Sequence, residues 1–145
     1  MNKINLKNLT LNDFPLKTFD KIRYRDTDRQ GHVNNAVFTT FLETGRAEFF
    51  YNPKRPMSSP GGSFVIANIT LDLLAEINWP GAVDIGTAIL NVGKSSIHLV
   101  QGIFYNGEIA GTAETVIVHI NDETRRPQPL SEETRSILHN FLLQK

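Results

Sequence analysis

From Phe64 to Ile120 the chain is almost unbroken strand pattern, preceded by one long helical stretch, and that order constrains the fold more than any other feature. Val65, Ala67, Ile69, Leu71 and Leu73 alternate with Ile66, Asn68, Thr70, Asp72 and Leu74, the period of a half-buried strand. Trp79-Pro80-Gly81 marks a turn, and further strands are predicted over Ile85–Val92, Ser95–Tyr105 and Glu108–Ile120. Asn106-Gly107 joins the last two; both residues tolerate φ > 0, so a tight antiparallel hairpin is expected there.

The helix is predicted from about Asn35 to Tyr51, with Asn34 or Asn35 as its N-cap and Pro53 stopping it. At 100° per residue Val37, Phe38, Phe41, Leu42, Gly45 and Phe49 fall on one apolar stripe, and Glu43 falls opposite. A glycine in that stripe costs helix propensity, so close approach to another backbone is expected to compensate. A first strand over Thr18–Arg25 precedes the helix, and residues 1–17 read as a leader against the surface. Residues 52–62 form a loop by composition, residues 121–130 a basic, proline-bearing loop. A short helix is expected from about Ser131 to Leu143, capped by Ser131. One apolar helix beside an antiparallel sheet is an α+β layer arrangement, read as one domain over residues 1–145.

Charge narrows the function classes. Lys plus Arg and Asp plus Glu number 15 each, so no overall field favours nucleic acid or an anionic membrane. The absence of cysteine rules out disulfides, thiolate metal sites and cysteine nucleophiles, and fits a cytoplasmic protein. The N-terminus lacks the apolar core of a signal peptide, and no segment approaches the apolar length that spans a bilayer.

Chemistry concentrates in Asp26-Thr27-Asp28-Arg29-Gln30-Gly31-His32-Val33-Asn34-Asn35, which feeds directly into the helix. A helix N-terminus offers unpaired N–H groups and a positive dipole end. A carboxylate beside it can act as base or nucleophile while those N–H groups hold a developing oxyanion, a combination suited to acyl transfer. Asp26, Asp28 and Gly31 half-match a calcium loop, but Val37 stands where its bidentate Glu is required. His98, His119 and His139 have no ligand-type neighbours at metal-site spacing; the two strand histidines are expected at partly exposed or interface positions. No Gly-x-Ser-x-Gly elbow is present, which argues against the serine-hydrolase route.

That decapeptide before an aromatic-rich helix resembles the acyl-CoA thioesterases of the 4-hydroxybenzoyl-CoA thioesterase family. Its Asp-x-x-x-His-Val-Asn-Asn portion is also similar to plant acyl-acyl-carrier-protein thioesterases. The resemblance covers about residues 18–130, including Trp79-Pro80-Gly81, Val92-Gly93-Lys94-Ser95-Ser96 and Arg125-Arg126-Pro127. It implies the hot-dog fold, in which a curved antiparallel sheet wraps one long helix. It also implies acyl-CoA hydrolysis without cofactor or metal, at the interface of a homodimer or dimer of dimers.

By motif position Asp28 would be the catalytic carboxylate, as base or nucleophile, the Asn35 N–H the oxyanion donor, and His32 an assisting group. Gln30 stands where the plant-type motif has Asn. Gly31, Val33, Asn34, Lys94 and Ser95 are candidate substrate contacts; Lys54, Arg55, Lys94, Arg125 and Arg126 are candidates for the nucleotide phosphates of coenzyme A. Glu43, the helix acid that another hot-dog branch uses, is a weaker candidate that could instead pair with Arg46. Two rivals stay open: a carrier-protein thioesterase using the same site, and a non-catalytic acyl-CoA binder, against which an intact Asp28 argues.

Overall fold

The computed structural model describes residues 5–144, so the first residues of the leader, 1–4, lie outside the described part. Strand β1 (Leu16–Ile22) leads to a 3-10 turn over Tyr24–Asp26, then helix α1 (Asn35–Phe50). Strands β2 (Gly62–Leu73), β3 (Gly81–Val92), β4 (Ser96–Tyr105) and β5 (Glu108–Asn121) follow, and helix α2 (Glu132–His139) comes last. The strands form one antiparallel sheet in the order β1-β3-β4-β5-β2, which leaves β1 and β2 at the edges. Asn106 and Gly107 take φ of 51° and 81°, the hairpin their sequence demands. The α+β arrangement read from the sequence is the one observed.

Several boundaries differ for local reasons. β1 begins and ends earlier than Thr18–Arg25, because Asp26 Oδ2 accepts the Arg23 N–H at 2.8 Å and closes the turn that terminates the strand. β3 begins at Gly81, ahead of Ile85, pairing its first residues with the whole of β1. α2 stops at His139, ahead of Leu143, because the following segment turns extended and bridges Leu142 to Ile89, beyond the end of β1.

β2 carries the most consequential difference. A bulge between Ile66 and Asn68 breaks its simple alternation. The register pairs Phe64 with His119 and Ile66 with Ile117, and beyond the bulge Ile69 with Thr115 and Leu71 with Ala113. Phe64, Ile66, Ile69, Leu71 and Leu73 thereby share one face, whereas an unbroken alternation would separate Phe64 and Ile66 from the other three.

The core lies between α1 and that face of the sheet. Phe38, Phe41 and Leu42 pack with Val83, Ile85 and Ile103; farther along, Phe49 and Phe50 pack with Ile89, Leu99 and Leu138. Gly45 is a close approach, but to side chains rather than to backbone: an added Cβ would meet Gln101 Nε2, Ile85 Cγ2 and Thr87 Oγ1 at 2.8–2.9 Å.

The leader does more than lie on the surface. Leu9 and Phe14 are buried on the opposite face, and Phe14 fills the space that Gly86 leaves, where a Cβ would meet its ring at 2.5 Å. His119, expected to be partly exposed, is fully buried: its Nε2 accepts the Ser59 N–H and its Nδ1 faces the Pro129 carbonyl, tying together the two loops beside that end of β5. No helix among the described residues is long and apolar enough to cross a membrane.

Candidate active site

The segment between the Tyr24–Asp26 turn and α1 is a miniature hairpin rather than an open loop. Thr27 pairs with Val33, the Asp28 N–H donates to the His32 carbonyl at 2.8 Å, and the Gly31 N–H donates to the Asp28 carbonyl at 3.1 Å. Gly31 takes φ +85°, which supplies the reversal that an L side chain resists. Both ends are anchored: the Asn34 N–H donates to the Asp26 carbonyl, and the Val33 N–H donates to the Ile77 carbonyl. Asp26 is the buried acid of the pair and Asp28 the exposed one.

Asp28 holds the turn with one oxygen. Its Oδ1 accepts the Gln30 N–H at 2.8 Å and the His32 N–H at 3.2 Å, while Oδ2 has no partner among the described residues. Local backbone bonding and an available oxygen therefore coexist on one carboxylate.

Helix α1 starts beside it. Asn34 is the N-cap: its Oδ1 accepts the Ala36 N–H and its carbonyl accepts the Val37 N–H, both at 2.9 Å. The Asn35 N–H is left without a partner among the described residues, one of the orphan donors at the positive end of the helix.

A cavity of about 380 Å³ brings these groups together, lined by Asp28, His32, Val33 and Asn35 on one side and by Phe38 and Leu73–Glu76 on the other. The loop after β2 forms the second wall because the Leu74 and Ala75 N–H groups both donate to the Ala110 carbonyl. His32 turns its Nε2 to Glu76 Oε2 at 3.2 Å; only its backbone touches Asp28. Glu76 carries no signal in the sequence, since it reaches the site through the fold and not through the motif.

The remaining candidates are placed elsewhere. Lys94 and Ser95 sit at the far end of β3, roughly 35 Å of strand from the end beside His32. There the Lys94 carbonyl accepts the Leu130 N–H, and the Ser95 carbonyl accepts the His119 N–H. Arg55 stacks over Phe49 and Phe141 at 4.7 and 5.4 Å, packed into the structure. Glu43 is exposed and pairs with no cation within 4.0 Å among the described residues. No group of three or more His, Cys, Asp or Glu among those residues is arranged to hold a metal.

Residues 22–138 match the thioesterase-like superfamily. Over 84 residues, 58% of this chain, the sequence is 30% identical to the acyl-CoA thioesterase YbgC of Helicobacter pylori, of which it spans 63%, under two thirds of that relative's length. It is 29% identical over 129 residues to the chloroplastic acyl-acyl carrier protein thioesterase ATL2 of Arabidopsis thaliana, covering 86% of this chain and 68% of that one. A thioesterase of Thermus thermophilus, solved in complex with coenzyme A and zinc, superposes with a TM-score of 0.76 at 32% identity, covering 88% and 94% of the two chains.

Proposed function

The chain belongs to the thioesterase-like superfamily, with its hot-dog fold, and from that premise we propose that it hydrolyses an acyl-CoA thioester to the free acid and coenzyme A. The observation that carries this reading is the juxtaposition, in one cavity, of the Asp28 carboxylate and the unpartnered Asn35 N–H at the start of α1.

Asp28 Oδ2 either attacks the thioester carbon or takes a proton from a water that attacks it. In both cases the carbonyl oxygen gains negative charge beside the Asn35 N–H and the helix dipole, a donor geometry worth about 3 kcal/mol in the transition state. Collapse of the tetrahedral intermediate breaks the C–S bond. In the water route the departing sulfur takes the proton that Asp28 removed. In the direct route the thiolate leaves, water hydrolyses the acyl anhydride on Asp28 to the free acid, and the proton released in that step goes to the thiolate. His32, its Nε2 held by Glu76, has Nδ1 left to serve the water or the sulfur.

A second copy of the chain completes the site in this reading. β2 is an edge strand of 12 residues with Ile66, Ile69 and Leu73 exposed, the kind of edge that soluble proteins cover. Two-fold pairing of β2 edges would set the Gly62 end of one copy beside the Leu73 end of the other, next to Asp28. Such a closure excludes water and strengthens the electrostatics of the carboxylate and the oxyanion donor.

Thiol release from a panel of short, medium, long-chain and aromatic acyl-CoAs, run beside acyl-carrier-protein substrates, tests the reading. Turnover of CoA esters is expected. Turnover of carrier-protein esters alone would transfer the site to that substrate class, and turnover of neither would overturn hydrolysis.

A further inference from the structure

The cavity at Asp28 has a counterpart at the other end of the same helix. α1 rests mainly on β1, β3 and β4, and between its remaining flank and β2 a second cavity of about 110 Å³ opens, where Glu43, Arg46, Ala47 and Phe50 face Phe64, Val65 and Ile66. Between the two cavities, the β2 face turned toward α1 is apolar, formed by Ile66, Ile69, Leu71 and Leu73 once the bulge has aligned them. An apolar strip of this kind suits a hydrocarbon chain, and Arg46 stands in the cavity at its Ile66 end.

Arg46 is only 8% exposed, in a helix whose other buried residues carry no charge. Its Nη1 donates to Gln101 Oε1 at 3.3 Å, and Gln101 is itself fixed by its Nε2, which donates to the Leu42 carbonyl and to Thr87 Oγ1, both at 3.0 Å. No carboxylate lies within 4.0 Å of the guanidinium among the described residues; Glu43, one turn earlier, does not reach it. On the same face of β5 as Ala113 and Ile117, the Thr115 hydroxyl is buried without a partner among the described residues.

Burial of the guanidinium lowers the Arg46 pKa, with Glu43 and Tyr51 opposing that shift through charge. Glu43 acts on it only at a distance; a buried cation with no carboxylate in contact is costly, and the planar guanidinium fork matches a carboxylate in a two-bond geometry. The carboxylate contact that Glu43 does not make is supplied, on this view, by what enters the cavity.

We propose that Arg46 receives a carboxylate at the far end of the acyl chain, so that the preferred substrate is an ω-carboxyacyl thioester, the monothioester of a dicarboxylic acid. This rests on the reading of Asp28 and Asn35 as the site of hydrolysis. Asn35 and Arg46 lie about 16 Å apart along the helix axis, and the arginine leans back toward the N-terminus, as helical side chains do. An extended chain of about ten bonds fits that separation.

The test compares an ω-carboxyacyl-CoA with the plain acyl-CoA of equal chain length by kcat/KM for thiol release. Wild type is expected to favour the carboxylated ester about ten- to hundredfold, the range of a hydrogen bond to a charged group. Arg46→Met should reduce the preference to about one, and Arg46→Lys should restore part of it. Equal rates for the two esters in wild type, or an unchanged preference in Arg46→Met, would overturn the proposal.

Binding of the matching non-hydrolysable thioethers, ω-carboxyalkyl-CoA and alkyl-CoA, is measured by calorimetry in parallel. If wild type hydrolyses neither ester yet binds the carboxylated thioether selectively, the anion seat stands and hydrolysis is what fails. If it binds both equally or neither, the seat is overturned. Should Arg46→Met not fold, the wild-type preference alone decides.

Discussion

Asp28 closes a turn with one carboxylate oxygen and leaves the other without a partner among the described residues, at the wall of a cavity. The motif was legible because its parts are consecutive: Asp28, His32, the Asn34 cap and the Asn35 N–H occupy one short segment, so sequence spacing alone places them at a helix start. Glu76 and Arg46 were not, since the first arrives on a loop after β2 and the second sits where an amphipathic stripe gives no reason for charge. The burial of His119 is hidden for a related reason: strand alternation ranks its exposure, but its two backbone partners come from loops outside the strand. At this scale Asn34→Ala, which removes the bond to the Ala36 N–H, should cost about 1 kcal/mol in urea unfolding. Gly31 and Gly45 should separate two kinds of glycine. Gly31→Ala meets no atom within 4 Å and should cost about 1–2 kcal/mol through its positive φ alone. Gly45→Ala drives a methyl into Gln101, Ile85 and Thr87 and should cost about 1–3 kcal/mol, with activity lost as α1 shifts.

Among the elements, long periodic segments are legible in the sequence and their edges are not. α1 begins at Asn35 as its cap type requires, and the β4–β5 hairpin sits on Asn106-Gly107. The bulge in β2 was not readable, because nothing in Ile66-Ala67-Asn68 marks an extra residue, yet it decides which side chains line the groove beside α1. The packing of the leader is not legible in the sequence. Phe14 has no periodic neighbours, and its role appears only when Gly86 and Gly102 leave room for its ring on the outer face of the sheet. Phe14→Ala should therefore cost about 3–5 kcal/mol, measured by denaturant unfolding, the loss for an aromatic side chain in a closed core. A loss under 1 kcal/mol would mean that the leader is peripheral to the fold after all.

For the molecule as a whole, family membership and fold follow from a helix, a sheet order and a motif that all agree, whereas substrate and assembly depend on surfaces the sequence does not label. The exposed apolar edge of β2 predicts a species of twice the chain mass in sedimentation equilibrium; a stable monomer at micromolar concentration would leave the Asp28 cavity open to water and weaken the mechanism proposed for it. The most direct test of the central claim is kcat for Asp28→Asn on the best ester of the panel, with melting temperature and oligomeric mass matched to wild type. The account predicts a fall of about 10²–10⁴, the contribution of a positioned acid–base group. A variant turning over within about tenfold of wild type would contradict it and take the chemistry away from Asp28.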